Sequence, residues 1–237
     1  MPTDACSDYL FPPPHPVSLP IVGQPQRFPV RRIFCVGRNY LEHIRELGND
    51  EKQPPVFFMK PAQTIVQDGS TMAYGTLTEN LHYELELALA LQSGGYNIDE
   101  GKALQHIYGY AIALDMTKRD IQDKLKKHGH PWEAGKSFDA SCPCGPIHPA
   151  QAVGHLESGR ICLKVNGEIR QDSNLDMLIW KIPQIVAELS RYFELQAGDL
   201  ILTGTPKGVG PVLPGDVMEG SIDRLGSLNI TVGPRVA

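Results

Sequence analysis

Leu81-His82-Tyr83-Glu84-Leu85-Glu86-Leu87-Ala88-Leu89-Ala90-Leu91 alternates at a period of two, and that period decides the fold class. Successive side chains of a β-strand point to opposite faces of its sheet. Leu81, Leu85, Leu87, Leu89 and Leu91 therefore share one face, interrupted by Tyr83, while Glu84, Glu86, Ala88 and Ala90 share the other. Two carboxylates at i and i+2 on one face carry Cβ atoms about 7 Å apart, close enough to hold one hard cation between them. A half-exposed strand showing Glu84 and Glu86 to water has the same pattern, but the alanines that continue the face suggest a lined cavity.

Outward from this stretch, short β-branched and aromatic runs predict further strands at residues 33–36, 55–60, 108–114, 161–165, 200–203 and 228–232. Asn166-Gly167 is a hairpin turn leading into residues 168–171. Helices are expected at residues 40–47, capped by Asn39 and stopped by Gly48, and after the capping-box pattern Thr117-Lys118-Arg119-Asp120, stopping at Gly129. A third fits residues 182–192, where Ile182, Ile185, Val186 and Leu189 form one stripe. Strands outnumber helices and no regular βαβ alternation occurs, which predicts an α+β domain built on a strand-rich, mixed, rolled sheet with a few short helices. Residues 1–30 hold many of the prolines and read as an arm; Tyr9, Leu10, Phe11, Val17, Leu19, Ile21 and Val22 predict that it packs on the body, residues 31–237.

The chain has 237 residues, 41% hydrophobic and 21% charged. A globular chain this long buries roughly 70% or more of its unfolded surface, so a metal would be catalytic rather than structural. Lys and Arg number 22 against 27 Asp and Glu, net charge -5, with no basic block, which argues against nucleic acid as a partner. Cys6, Cys35, Cys142, Cys144 and Cys162 are odd in number and contain no C-x-x-C pair, as expected in a reducing compartment. The N-terminus shows neither a basic nor an apolar leader segment, and no run of about 18 apolar residues occurs, so a cytoplasmic protein with no membrane partner is expected.

Asp115 ends an apolar strand just before a helix start, where it is a natural third oxygen ligand beside Glu84 and Glu86; capping the helix would be its alternative role. An all-oxygen set favours Mg²⁺ or Mn²⁺ over zinc and suits a chelating oxyacid. His43 and Glu46 lie i, i+3 on the predicted 40–47 helix, the spacing of a general base and its orienter, although a solvated helix face is also consistent with it. Lys136, between small and aromatic residues, reads as a partly buried cation or a snorkelling side chain. Thr203-Gly204-Thr205-Pro206-Lys207-Gly208-Val209-Gly210 lacks the order of a phosphate loop, and no G-x-S-x-G, H-E-x-x-H or C-x-x-C motif appears.

Taken together, Cys35-Val36-Gly37-Arg38-Asn39-Tyr40 with His43 and Glu46, the Glu84/Glu86 strand, Leu114-Asp115-Met116-Thr117 with Arg119-Asp120, Gly135-Lys136-Ser137-Phe138, Lys164-Val165-Asn166-Gly167-Glu168 and the 203–210 stretch resemble the fumarylacetoacetate hydrolase family from about Arg31 to the C-terminus. The resemblance implies a catalytic domain over residues 31–237, a homodimer, and one Mg²⁺ or Mn²⁺ per subunit held by Glu84, Glu86 and Asp115. It also implies a water-activating dyad at His43 and Glu46, a catalytic Lys136, and substrate contacts at Gln122, Thr205 and, more loosely, Arg38. The activity it implies is hydrolysis of a carbon-carbon bond in a small 2,4-dioxo acid. The proline arm and Ser141-Cys142-Pro143-Cys144-Gly145-Pro146 look most like the branch that splits fumarylpyruvate into fumarate and pyruvate in gentisate-type aromatic catabolism. Short-chain acylpyruvase with oxaloacetate decarboxylase activity is the alternative, and a catalytically silent metal-binding member is the second. Arg38 and Lys207 are the candidates for holding a distal substrate carboxylate.

Overall fold

The alternating stretch is two strands, not one. In the structure, a computed structural model that describes residues 9–40 and 55–236, Leu81–Tyr83 pairs with Thr117–Lys118 and Gly210–Pro211, whereas Leu85–Leu91 joins a larger sheet. The chain changes partners at Glu84. There the Asp115 N–H donates to Glu84 O at 2.8 Å, and the Gln171 side chain, rather than a strand neighbour, receives the Leu85 N–H at 3.0 Å. Face parity survives the break, because Leu81, Tyr83, Leu85, Leu87, Leu89 and Leu91 all enter the larger apolar core. Tyr83 thus continues the face it was expected to interrupt. Ala88 and Ala90, expected to line a cavity, are instead fully buried in a second core with Cys35, Ala111, Ala113 and Leu202. Side chains this small suit the tight inner side of a curled sheet.

Among the described residues the large sheet has eight strands. Seven run in the order Val56–Lys60, Arg32–Gly37, Asp199–Leu202, Leu85–Leu91, Ile107–Leu114, Cys142–Cys144, Ile65–Gln67, and His148–Pro149 adds to the Ile107–Leu114 strand. Asp199–Leu202 is parallel to Arg32–Gly37 and antiparallel to Leu85–Leu91, so the sheet is mixed as expected. A five-stranded sheet formed by Glu168–Asn174, Arg160–Val165, Val217–Ile222, Gly226–Val232 and Thr71–Met72 packs on the leucine face, where Leu163, Met218 and Ile230 share the core with Leu85 and Ile112. The approach is close: a Cβ at Gly220 would lie 2.5 Å from Leu85 Cδ1. Asn166 and Gly167 both adopt positive φ, 52° and 82°, as the two-residue hairpin turn requires. The helix Ile182–Tyr192 buries Ile182, Ile185, Val186 and Leu189, the stripe read from its period.

Two local expectations are corrected. Thr117 does not cap a helix: Thr117–Lys118 is a strand, the helix is Arg119–Lys127, and the Thr117 hydroxyl donates to Asp115 O at 3.1 Å. Pairing with Leu81–Tyr83 captures the backbone that a cap would need. Asn39 crosslinks two loops, its Oδ1 accepting the Trp180 N–H at 2.7 Å and its Nδ2 donating to Thr203 O at 2.8 Å; the helix predicted at 40–47, and with it the capping role expected of Asn39, falls largely outside the described residues. Of the arm, Leu19, Ile21, Phe28 and Val30 are buried around the hairpin of Ser18–Pro20 with Arg27–Pro29, but Tyr9, Leu10, Phe11 and Val22 are exposed. Pro12, Pro13 and Pro14 hold the chain extended and remove the donors that would dock it. No described helix is long and apolar enough to cross a membrane.

Candidate active site

Antiparallel register assembles the acidic group. Leu85–Leu91 pairs with Ile107–Leu114 so that Leu85 faces Leu114, which brings Asp115, the next residue, against Glu84. Glu84, Glu86 and Asp115 are all buried, and one carboxylate oxygen from each lies within 4.8 Å of the others.

Three buried cations answer them. Lys136, on the short helix Glu133–Lys136, places Nζ 2.8 Å from Glu84 Oε2 and 2.7 Å from Asp115 Oδ2. Arg119 donates to the other Glu84 oxygen and, at 2.6 Å, to Gln122 Oε1. Lys60 Nζ stands 2.8 Å from Asp115 Oδ1 and donates to Met116 O and to Lys136 O. Asp115 Oδ1 itself accepts no hydrogen bond from the described residues, so charge attraction alone holds it to Lys60. Glu86 accepts the Gly204 N–H at 2.6 Å.

Burial, and then the charges of Asp115 and Glu84, push the Glu86 carboxyl well above the usual carboxylate range. Burial opposes the Lys136 ammonium, but Asp115 and Glu84 outweigh it and hold its pKa above that of an ordinary lysine, so Lys136 stays protonated. A divalent cation among the three carboxylates would remove the repulsion that raises Glu86. Converging oxygens with an unsatisfied buried oxygen on Asp115 fit a hard ion such as Mg²⁺ or Mn²⁺.

Beside the carboxylates lies a cleft walled by Arg38, Phe58, Gln122, Lys126, Trp132 and Thr205. Arg38 has a left-handed backbone, φ 64°. Thr205 Oγ1 accepts from Gln171 Nε2 at 2.9 Å, which leaves its own hydroxyl hydrogen free to turn. Glu84, Glu86, Asp115, Lys136, Arg38, Gln122 and Thr205 thus line one cleft, as their spacing in sequence alone could not establish. His43 and Glu46 lie outside the described residues. Lys207 is exposed and is not among the cleft's lining residues.

Lys60, Lys126, Trp132 and Gln171 were not singled out from the sequence, and Arg119 appeared only within a motif. A signal existed for Arg119, because a cation in the first turn of a helix opposes the helix dipole and calls for a compensating partner. Lys60 closes an otherwise apolar strand, which is a weaker cue. Nothing local marks Gln171, whose side chain is completely buried and ties Leu85 to Thr205 and Pro206.

The model of the fumarylacetoacetate (FAA) hydrolase C-terminal family matches residues 32–233. Fumarylpyruvate hydrolase of Ralstonia sp is 47% identical over 178 residues, 75% of this chain and 92% of that protein. The mitochondrial oxaloacetate tautomerase FAHD1 of Mus musculus is 42% identical over 202 residues, 85% and 91% of the two chains. The crystal structure of fumarylpyruvate hydrolase from Pseudomonas aeruginosa in complex with Mn²⁺ and pyruvate superimposes with a TM-score of 0.94 at 50% identity, covering 96% of this chain and all of that one. A match across nearly the whole body of the chain, with a fold to agree, leaves one conclusion: the chain belongs to the fumarylacetoacetate hydrolase family.

Proposed function

We propose that the protein is a Mg²⁺- or Mn²⁺-dependent hydrolase of acylpyruvates, acting on fumarylpyruvate to yield fumarate and pyruvate. The observation that carries this reading is the convergence of Glu84, Glu86 and Asp115 within 4.8 Å beside a buried, protonated Lys136. The fumarylpyruvate hydrolases at 47% and 50% identity support the substrate. A homodimer working in the cytoplasm belongs to the same proposal.

The three carboxylates would hold the cation, which supplies Lewis acidity toward the 2-oxo acid end of the substrate. His43, oriented by Glu46, would take a proton from water as its oxygen attacks the acyl carbonyl at C4. Collapse of the tetrahedral adduct breaks the C3–C4 bond, releases fumarate, and leaves the electron pair as pyruvate enolate, which a proton then quenches at carbon. Lys136, kept charged by its two carboxylates, stands where it would offset the enolate's developing charge. Gln122, Thr205 and Arg38 would hold the substrate from the cleft wall.

Oxaloacetate tautomerisation is the second reading, favoured by the mouse relative at 42% identity. It needs enolate stabilisation but no attacking water. The test follows the ultraviolet absorbance of fumarylpyruvate, acetylpyruvate and enol-oxaloacetate with Mn²⁺ and with EDTA. Fast loss of fumarylpyruvate that EDTA abolishes supports the hydrolase; rapid enol-to-keto conversion of oxaloacetate with both acylpyruvates untouched overturns it in favour of the tautomerase.

A further inference from the structure

The helix Arg119–Lys127 presents one face to the cleft, and three of its residues line it: Arg119, Gln122 and Lys126, at i, i+3 and i+7. Arg119 and Gln122 are engaged with Glu84 and with each other at the acidic end. Seven residues along the helix advance about 10 Å, so Lys126 stands at the far end of the same wall. It is half-buried, whereas Lys124 and Lys127 on the same helix are exposed. Among the described residues its ammonium makes no hydrogen bond or ion pair; it rests 5.1 Å from the centre of the Trp132 ring, and Trp132 packs at 6.2 Å against Phe58. A cation at the end of a cleft, beside a flat aromatic wall, is the complement of a planar acyl chain that ends in an anion.

We propose that Lys126 receives the distal carboxylate of the substrate, making a planar, unsaturated dicarboxylic acylpyruvate the preferred class, a placement that rests on the acylpyruvate reading above. Of the two cations expected from the sequence to do this, Arg38 lines the cleft and Lys207 does not, so Lys126 takes the place given to Lys207. Burial, Arg119 and Arg38 all lower the Lys126 pKa. An incoming carboxylate would relieve that like-charge crowding, which favours occupation of the seat by an anion.

The test compares wild type, Lys126→Met and Lys126→Arg, each loaded with Mn²⁺. Substrates are fumarylpyruvate and acetylpyruvate, which lacks the distal carboxylate. The expected result for Lys126→Met is a fall of about tenfold or more in the ratio of kcat/KM for fumarylpyruvate to that for acetylpyruvate, the size of one lost charge-assisted hydrogen bond. The loss should sit in KM, and Lys126→Arg should restore most of it. An unchanged ratio overturns the assignment. In parallel, tryptophan fluorescence follows binding of 2-oxoheptanedioate and 2-oxoheptanoate, which have no 4-oxo group to hydrolyse. Tighter binding of the diacid that disappears in Lys126→Met upholds the seat even if fumarylpyruvate is not turned over, and then only the hydrolase reading falls. Equal binding of the two acids by wild type overturns the seat.

Discussion

Lys60 Nζ lies 2.8 Å from one oxygen of Asp115 while Lys136 Nζ lies 2.7 Å from the other, and all three side chains are buried. Lys60 also donates to the carbonyl of Lys136, so the two lysines are tied to each other as well as to the carboxylate between them. With Arg119, they pair with Glu84 and Asp115, while Glu86, whose carboxyl is held well above the usual range, pairs with none of the three.

Removing Lys60 leaves one buried oxygen of Asp115 with no cation beside it. Lys60→Met should destabilise the metal-free protein by about 3–5 kcal/mol, the usual penalty for breaking a buried pair from one side. Mn²⁺ should restore more stability to the variant than it adds to wild type, because the ion supplies the missing charge. Urea denaturation with and without Mn²⁺ measures both; an equal Mn²⁺ increment in the two proteins would contradict the pairing of Lys60 with Asp115.

Gly204 adopts φ 100° and directs its N–H to Glu86 at 2.6 Å. A Cβ there would lie 2.8 Å from Asn39 Cβ and 3.2 Å from Val36 O, so the backbone would have to shift. Gly204→Ala should lose about 1–3 kcal/mol through backbone strain and weaken Mn²⁺ binding as the donor leaves Glu86. Calorimetric titration of Mn²⁺ beside thermal melting separates the two effects. Unchanged affinity would show that the Gly204 donor does not orient Glu86.

Asp120 fastens the start of the Arg119–Lys127 helix to the preceding loop, accepting from Thr78 Oγ1 at 2.7 Å and from Glu79 N at 2.9 Å. Burial raises its pKa, but these hydrogen bonds outweigh burial and hold it below the usual 3.8. A carboxylate depressed in the folded state adds stability that is fully present above pH 3.8 and lost as pH falls through the lower, folded value. The difference in Tm between wild type and Asp120→Asn should therefore stay constant from pH 7 to about pH 5 and shrink below about pH 4. A gap that instead widened on acidification would reverse the assigned sign.

His43→Ala should lower kcat for fumarylpyruvate by about 10²- to 10⁴-fold, the range for loss of a general base. Its Mn²⁺ affinity should match wild type, since His43 is not one of the proposed ligands. Stopped-flow turnover and Mn²⁺ titration on the same preparation check both halves. Near-normal turnover would remove His43 from the mechanism.

Much of this architecture is written in local pattern. The period of two around Glu84 and Glu86, the Asn166-Gly167 turn and the stripe on Ile182–Tyr192 depend on side-chain direction and backbone preference within a few residues, so they are legible one segment at a time. So was the acidic set, because Glu84, Glu86 and Asp115 sit beside strand ends whose apolar runs are plain in the sequence. Pairing partners were not. The break at Glu84 arises because Thr117–Lys118 and Gly210–Pro211 take the Leu81–Tyr83 edge, and the Gln171 side chain takes the Leu85 N–H from 86 residues away. Lys60 and Lys126 likewise look like ordinary lysines until the fold buries one against Asp115 and turns the other toward the cleft. Sequence by itself determined which residues could carry charge into the interior and on which face of a strand or helix they would lie. Tertiary structure alone decided which charges meet, because ion pairing depends on distance and desolvation, and both are set by the long-range packing of strands rather than by neighbours along the chain.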